Sequence, residues 1–309
     1  MSASETAETA PGTYEVAVSV TGLWAGPHAP RPLDAALTDP TPRLADWLTA
    51  QAPAQRRELW GHLESQLLLG ERVLVHTVAD GWARVSAPEQ PSSRDDAGYP
   101  GFVPVHHLRP AEAAPSGPRV VVHRPVAAIR DAPDGAVLIP DVGFATALAV
   151  LDHTAEAVAV RLPGGATGWL PAAHVEQLRP PDVPPTGAEL VAAGRAFLGV
   201  GYLPGGMHGL SLDCSGLVHA LYRRFGWTVP RDAGDQVSLG TPVALGGACP
   251  GDLLFFTNPR TRAIYHVGLS LGPLRMLHAA QADGATTEGP LSQRLRDHLT
   301  DVRRCHSGP

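Results

Sequence analysis

The sequence predicts an α+β domain at the C-terminal end of the chain, preceded by two small β-barrels. Segments 110–118 (PAEAAPSGP) and 179–187 (RPPDVPPTG) are rich in Pro, Ala and Gly, as semi-rigid connectors are. Short β-branched runs precede the second connector, whereas amphipathic helical patterns and then strands follow it. The predicted domains therefore span 12–109, 119–179 and 188–309.

The first two predicted domains form a weak internal repeat. GYPGFVPVHHLRP at 98–110 and GATGWLPAAHVEQLRP at 165–180 share a glycine–aromatic step, a proline and a helical turn. Runs such as RVLVHTV at 72–78 and AVAVRL at 157–162 are typical of the short strands of small barrels. The first copy carries an insertion at about 31–70, where RLADWLTAQAPAQRRELWGHLESQLLLG predicts two short helices rather than strands.

The third predicted domain begins with helices and ends with an antiparallel sheet. TGAELVAAGRAFLGV at 186–200 is amphipathic, with Thr186 as its N-cap. SGLVHALYRRFGW at 215–227 places apolar residues at helical spacing. The strand-like runs that follow are DLLFF (252–256), AIYHVGLSL (263–271) and LRMLHAA (274–280). Helices followed by such strands predict an α+β domain.

Composition excludes several kinds of function. The net charge is −6 over 309 residues with no long basic run, so neither a nucleic-acid-binding surface nor a polybasic membrane patch is expected. All 24 basic residues are arginine, which excludes a Schiff-base lysine, a phosphate loop with its lysine and a Ser–Lys dyad. The sequence contains no apolar run long enough to predict a membrane span.

Cysteine usage and the N-terminal segment indicate the compartment. Cys214, Cys249 and Cys305 are an odd, sparse set without a CxxC pair, unlike a disulfide framework or a structural zinc site. The segment MSASETAETAPGTYEV has neither the basic start nor the apolar centre of a secretory signal. We therefore expect a cytoplasmic protein with reduced thiols.

The sequence Asp213-Cys214-Ser215-Gly216 stands directly before an amphipathic helix. Asp213 is suited to cap this helix, which puts Cys214 in the first turn, where the positive helix terminus stabilises a thiolate. The free N–H groups of the same turn can bind an oxyanion. The alternative interpretation is that Cys214 is a small buried apolar residue, as free cysteines commonly are.

A thiol nucleophile needs a base that a third polar group orients. His266 and His278 lie on two strand-like runs joined by Gly272-Pro273. An odd number of loop residues would place both histidines on one face as cross-strand neighbours, whereas a two-residue loop would point them apart. They could instead be structural histidines, or hold zinc together with Cys214. Because no HExxH or CxxC pattern accompanies them, we predict no metal and no cofactor.

These residues resemble the NlpC family of cell-wall cysteine peptidases, which have a papain-like fold. LDCSGLVHALYRRFGWTVPRDAGDQ, PGDLLFF, YHVGLSL and MLHAA follow in the order and spacing of that family. The resemblance implies that Cys214 is the nucleophile, His266 its base and His278 the residue that orients the base. It also implies that the hydroxyl of Tyr202, in GYLPGG, assists the oxyanion hole.

The N-terminal part is similar to a subgroup with paired bacterial SH3 domains, the γ-D-glutamyl-L-diamino-acid endopeptidases of peptidoglycan recycling. WAGPHAPRPLDAALTDP, LESQLLLGE and GYPGFVP carry this similarity. It implies that Glu64, Tyr99 and Asp213 hold the free N-terminal amine of a small peptide and exclude longer, glycan-linked stems. The alternatives are a solvated helical Glu64 and a Tyr99 that serves packing.

Two positions depart from the family pattern. Pro204 replaces a tryptophan before the Gly-Gly pair, and Ala233 stands where the RxSxxQ segment often has serine. The resemblance then leaves Ser215 and backbone groups to hold the D-Glu carboxylate. Cys249 and Cys305 match no functional position and are interpreted as structural.

The sequence thus predicts a cysteine endopeptidase that hydrolyses the γ-D-Glu–L-diamino-acid bond of small muropeptides with a free N-terminal L-Ala. The expected partner is this small peptide, with no nucleic acid, membrane or obligate protein partner. Two other functions stay open at this point. The SH3-like domains could tether the protein to peptidoglycan as a binding module with catalysis secondary, or the enzyme could be a hydrolase or acyltransferase for another acyl substrate.

Overall fold

The computed structural model describes residues 10–112 and 117–308, which form two antiparallel β-sheet domains and a C-terminal α+β domain. The predicted fold class is therefore confirmed. The connector predicted at 110–118 and the polar segment at the N-terminus lie partly outside the described residues. The domain limits given above stay predictions. None of the described helices has the length and apolar character needed to cross a membrane.

The first domain is a seven-stranded sheet with three short helices inserted between its second and third strands. The strands are β1 (Gly12–Val16), β2 (Val20–Trp24), β3 (Leu63–Leu68), β4 (Arg72–Ala79), β5 (Trp82–Ala87), β6 (Tyr99–Pro104) and β7 (Leu108–Pro110), and the helices are α1 (Ala35–Thr38), α2 (Leu44–Thr49) and α3 (Pro53–Arg57). Their order across the sheet is β3-β2-β6-β5-β4-β1-β7. A 3-10 turn follows β6, as predicted.

The insertion contains the two predicted short helices, α2 and α3, but the prediction was wrong for its last part. LESQLL forms strand β3 and pairs with β2, with Val20 opposite Leu68. The strand is buried along nearly its whole length, polar Ser65 and Gln66 included, because it is covered by the C-terminal domain as well as by its own sheet. The alternation of apolar and polar residues that marks a half-exposed strand is therefore missing.

The second domain repeats the first. Its strands are β8 (Arg119–Val122), β9 (Val126–Arg130), β10 (Val137–Gly143), β11 (Ala147–His153), β12 (Ala157–Arg161), β13 (Thr167–Pro171) and β14 (Val175–Gln177). Their order, β10-β9-β13-β12-β11-β8-β14, is that of the first sheet with every number raised by seven. A 3-10 turn again follows the sixth strand. The weak sequence repeat is thus a structural repeat.

The C-terminal domain packs helices against a nine-stranded sheet of order β16-β17-β15-β22-β21-β20-β19-β23-β18. Its strands are β15 (Gly201–Tyr202), β16 (Met207–His208), β17 (Ser211–Leu212), β18 (Thr241–Pro242), β19 (Leu253–Thr257), β20 (Ile264–Ser270), β21 (Arg275–Ala280), β22 (Ala285–Pro290) and β23 (Leu299–Arg304), and its helices are α4 (Gly187–Arg195), α5 (Cys214–Arg224), α6 (Ala233–Gln236) and α7 (Gln293–His298). The predicted helices and strands are all present. Thr186 caps α4, accepting a hydrogen bond from the N–H of Glu189.

The first domain packs directly on the segment that leads into α5. Oε1 of Gln66 in β3 accepts hydrogen bonds from the N–H groups of Met207 and His208, at 2.9 and 3.1 Å. Gly205 lies so close to β3 that an added Cβ would stand 2.7 Å from the carbonyl oxygen of Leu63, and its φ is +74°. Only glycine suits this position, so the approach of the two domains is built into the chain.

Candidate active site

Cys214 is the first residue of α5. Oδ1 of Asp213 accepts a hydrogen bond from the N–H of Gly216 at 2.6 Å, so the predicted helix cap is confirmed. The thiol is 9% exposed and belongs to the apolar core of the C-terminal domain, together with Leu217 and Leu221 of the same helix. Helix packing therefore fixes the sulfur against strand β20.

His266 in β20 and His278 in β21 are diagonal cross-strand neighbours whose rings meet. The pairs Leu269–Leu277 and Ser270–Met276 leave five residues, 271–275, in the loop, which confirms the odd-loop expectation. Nε2 of His266 lies 2.7 Å from Nδ1 of His278, within hydrogen-bond distance, and both rings are buried. This bond leaves Nδ1 of His266 to act on the thiol.

A third polar group, Asp283, follows the two histidines and was missed by the sequence analysis. Its Oδ2 lies 3.7 Å from Nε2 of His278, and its carboxylate is about half exposed. Asp283 comes from the loop between β21 and β22, where nothing in the local sequence marks it. Its charge can stabilise positive charge that develops on the histidine pair.

The surroundings of Cys214 oppose the thiolate that the helix terminus favours. Burial, together with the neighbouring Asp213 carboxylate, raises the pKa of Cys214 to about 12, although hydrogen bonds from the backbone of Val267 and Ser215 oppose this shift. Burial and the nearby His278 lower the pKa of His266 to about 3. Both shifts favour the uncharged thiol and the neutral imidazole. The helix terminus favours the thiolate, but burial and Asp213 outweigh it.

Tyr202 in β15 is 8% exposed. Burial, with the nearby charges of Cys214 and Asp213, raises the pKa of its hydroxyl far above the usual value. The hydroxyl therefore keeps its proton over the whole working pH range and remains a hydrogen-bond donor. A buried phenol donor close to the sulfur is suited to stabilise an oxyanion.

Arg231 organises the residues around the nucleophile, and the sequence analysis did not single it out. The side chain is 1% exposed, and its two terminal nitrogens bind both oxygens of Asp213 at 2.7 and 3.1 Å. It also donates to the hydroxyls of Ser215, at 3.0 Å, and of Ser65 in β3, at 2.9 Å. Although burial disfavours its charge, the Asp213 carboxylate raises the pKa of Arg231 above its usual value.

Glu64 and Tyr99, from the first domain, both bind the guanidinium group of Arg94. Arg94 donates to Oε2 of Glu64 at 2.6 Å and to the hydroxyl of Tyr99 at 3.1 Å. The hydroxyl of Tyr99 donates in turn to Oδ2 of Asp232 in the C-terminal domain, at 2.9 Å. Glu64 lies on β3 and not on a helix, and its side chain is 21% exposed. Arg94 and Asp232 are the residues of this cluster that the sequence analysis missed.

Within residues 10–112 and 117–308, no three His, Cys, Asp or Glu side chains are gathered as ligands of a metal ion. In the same part of the chain, the three cysteines are free thiols. The prediction of a metal-independent reaction stays a prediction.

Comparison with known proteins decides the family. Residues 199–304 match the model of the NlpC/P60 family. The chain is 31% identical over 307 residues to the gamma-D-glutamyl-L-lysine dipeptidyl-peptidase of Bacillus subtilis, covering 95% of this chain and 99% of the relative. The chain belongs to the NlpC/P60 family. It is an NlpC/P60 cysteine peptidase with two N-terminal antiparallel β-sheet domains.

A second curated relative and a solved structure agree with this assignment. The gamma-D-glutamyl-L-lysine dipeptidyl-peptidase of Bacillus cereus is 31% identical over 285 residues, covering 89% of this chain and 85% of the relative. The crystal structure of an NlpC/P60 family protein from Bacillus cereus superposes with a TM-score of 0.89 at 28% identity, covering 96% of this chain and 100% of that one. The similarity therefore includes the N-terminal domains.

The two departures from the NlpC/P60 pattern lie close to the nucleophile. Ala233 begins α6 and offers no hydroxyl, and Pro204 directly precedes Gly205. The hydroxyl of Ser215 donates a hydrogen bond to Asp213 at 3.3 Å and accepts one from Arg231 at 3.0 Å, so its donor proton is already bonded within the protein. The role of Ser215 in holding a substrate carboxylate stays a prediction.

A cleft of about 690 Å³ opens beside the histidine pair of this NlpC/P60 peptidase. Tyr202, His266 and His278 line it together with Asp283 and the surrounding residues of β22 and α7. Arg57 and Trp60, from the insertion of the first domain, also line it. The cleft is thus formed by the C-terminal domain and by the insertion of the first.

Proposed function

We propose that the protein is an endopeptidase that hydrolyses the γ-D-Glu–L-diamino-acid bond of small stem peptides with a free N-terminal L-Ala. The two Bacillus relatives are gamma-D-glutamyl-L-lysine dipeptidyl-peptidases, which supports this substrate class. The observation that carries the proposal is the hydrogen bond between Tyr99 and Asp232 at 2.9 Å. Asp232 follows Arg231, which binds Asp213 next to Cys214, so this bond links Tyr99 of the first domain to the surroundings of the nucleophile.

The chemical step starts from a neutral thiol and a neutral imidazole. As the sulfur of Cys214 attacks the γ-carbonyl carbon of D-Glu, its proton passes to Nδ1 of His266. The tetrahedral oxyanion accepts hydrogen bonds from the first N–H groups of α5 and from the Tyr202 hydroxyl. His278, with Asp283 behind it, stabilises the imidazolium of His266.

The imidazolium then gives its proton to the leaving amine, and the C–N bond breaks to leave a thioester on Cys214. A water molecule attacks the thioester while His266 takes one of its protons. Collapse of this second tetrahedral intermediate breaks the C–S bond and frees the γ-carboxyl group of D-Glu, which loses its own proton to solvent, while His266 returns its proton to the sulfur. The cycle consumes one water and needs no oxidant or reductant.

Recognition of the peptide amine uses groups that already bind a cation. Glu64 and the Tyr99 hydroxyl hold the guanidinium of Arg94, and the same acceptors suit a primary ammonium. The side chains of Arg94 and Glu64 are 44% and 21% exposed, so their pair is worth about 0–1 kcal/mol and is readily displaced. Both oxygens of Asp213 bind Arg231, which offsets the charge of this carboxylate, so a direct contact between Asp213 and the amine stays a prediction.

A requirement for a free amine restricts the enzyme to released peptides, since the stem of intact peptidoglycan has its N-terminal alanine acylated by the glycan. We therefore propose that it recycles released wall peptides. Three free cysteines among the described residues agree with a reducing compartment, and we place this activity in the cytoplasm.

The test is cleavage of L-Ala-γ-D-Glu-L-diamino-acid tripeptide beside its N-acetylated form. We expect cleavage of the free-amine peptide only, blocked by iodoacetamide and unaffected by EDTA. Cys214→Ala should abolish turnover, whereas the matched control Cys249→Ala should retain it. Cleavage of both peptides at similar rates would remove the amine site from the proposal, and cleavage of neither would overturn the proposed substrate class. Retention of the protein on purified sacculi would instead support a binding module.

A further inference from the structure

The cleft beside the histidine pair lies where the leaving amino acid must go. His266 protonates the leaving amine in the proposed reaction, so the residue that carries this amine occupies the space next to His266. The cleft is lined by His266, His278 and Tyr202, so it meets this requirement. Its other walls therefore contact the diamino acid.

Two arginines in the cleft have no acidic partner in the described part of the chain. Arg57 ends α3 of the first domain, and Arg294 lies in α7; both are exposed and neither makes an ion pair there. The guanidinium of Arg294 lies 5.8 Å from the ring centre of Tyr265. Arginine that is free to form bidentate hydrogen bonds is the preferred side chain for binding carboxylates.

The cleft carries more unpaired positive charges than unpaired negative charges. Glu288 is neutralised by Arg195, which donates to it from Nε at 2.8 Å. Asp283 accepts a hydrogen bond from the hydroxyl of Thr287 at 3.1 Å and otherwise faces the neutral His278. The cleft thus offers two uncompensated cations and one uncompensated anion.

Two aromatic side chains complete the walls. Trp60 is 58% exposed and Tyr265 is 36% exposed, although both are large and apolar. Such residues in a cleft, rather than in a core, are suited to cover the methylene chain of a ligand.

We infer that Arg57 and Arg294 make this cleft selective for a leaving diamino acid with a second carboxylate on its side chain, such as diaminopimelate, over lysine. The inference rests on the proposed function. A C-terminal diaminopimelate carries two carboxylates and one side-chain ammonium, which match the two arginines and Asp283. A C-terminal lysine offers only one carboxylate and leaves one arginine unpaired beside its ammonium.

The experiment compares kcat/KM for three tripeptides that differ only in the last residue: meso-diaminopimelate, meso-diaminopimelate amidated at its side-chain carboxylate, and L-lysine. We expect the first to exceed the other two by at least about tenfold, as for one additional charge-assisted hydrogen bond. The double variant Arg57→Gln/Arg294→Gln should lose most of this ratio, chiefly through KM. The control Arg260→Gln changes an exposed arginine outside the cleft and should keep the ratio.

Equal cleavage of the lysine and diaminopimelate peptides would overturn the inference and leave the proposed function standing. A diaminopimelate preference that survives in the double variant would also overturn it, because the selectivity would then come from other residues. Cleavage of none of the three peptides would overturn the proposed function and this inference with it. Thermal unfolding of each variant checks that the substitutions leave the fold intact.

Discussion

Arg231 gives the most direct test of how the site is held together. The side chain is buried, binds both oxygens of Asp213, and joins the hydroxyl of Ser65 in the first domain to that of Ser215. Arg231→Met keeps a similar volume but removes the charge. Asp213 then keeps the N–H groups of Gly205 and Gly216, at 2.9 and 2.6 Å, and the longer bond from the Ser215 hydroxyl at 3.3 Å.

Removal of one partner of a buried ion pair costs about 3–5 kcal/mol, because the other charge stays buried and unpaired. The two remaining N–H bonds to Asp213 place the expected loss near the lower end, about 3 kcal/mol. Asparagine caps helices as well as aspartate does, so Asp213→Asn removes the orphaned charge without removing the cap. The double variant Asp213→Asn/Arg231→Met should therefore recover at least about 1.5 kcal/mol relative to Arg231→Met alone.

Urea unfolding followed by tryptophan fluorescence measures these differences in the free energy of unfolding. A typical domain has about 5–15 kcal/mol of stability, so each variant should still fold. If the free energy of unfolding of Arg231→Met lies within about 1 kcal/mol of the wild-type value, the Arg231–Asp213 pair does not stabilise the fold as proposed. Strictly additive effects of the two substitutions would refute the reasoning equally, since coupled residues must show an interaction energy.

Three further predictions follow from the same structure. Asp283→Asn should lower kcat by no more than about fivefold, because an exposed charge 3.7 Å from His278 contributes about 1 kcal/mol or less; a loss of a hundredfold would mean a direct role in the reaction. Arg94→Gln frees Glu64 and should lower KM for the free-amine tripeptide by up to about fivefold while leaving the N-acetylated peptide unaffected; a raised KM would show that Arg94 contacts the substrate. The free energy of unfolding should fall as the pH drops from 6.5 towards 4, by up to about 1.4 kcal/mol per pH unit for each buried histidine. The reason is that these histidines bind protons in the unfolded chain but stay neutral in the folded one. These histidines, whose pKa values burial lowers to about 3 or 4, are His107, His208, His219 and His266. A melting temperature that does not change between pH 7 and pH 4.5 would contradict this last prediction.

The parts of the site that depend on neighbouring residues were predictable from the sequence. The cap by Asp213 needs only the residues that follow it, and the meeting of His266 with His278 needs only a hairpin with an odd loop. Both follow from local backbone geometry. The repeat of the two N-terminal sheets was predictable for the same reason, because the glycine–aromatic step and the proline recur with the strands.

The parts that depend on distant residues were not predictable. Arg94 reaches Glu64 across 30 positions of the chain, and Arg231 meets Ser65 across 166, so no spacing in the sequence marks either pair. The burial that opposes a thiolate at Cys214 is also non-local. A helix terminus is visible in the sequence, whereas the burial that raises the pKa of the thiol comes from the whole domain.

The packing of strand β3 against the C-terminal domain has a consequence for how the enzyme loses activity on heating. Gln66 bonds the backbone just ahead of the nucleophilic helix, and Gly205 fits against Leu63 without room for a side chain. Hydrolytic capacity and the integrity of the first domain are thereby coupled, so heat should abolish both in one cooperative transition. Such a protein is not modular in the evolutionary sense: its N-terminal domain cannot be exchanged for another without rebuilding the entrance to the nucleophile.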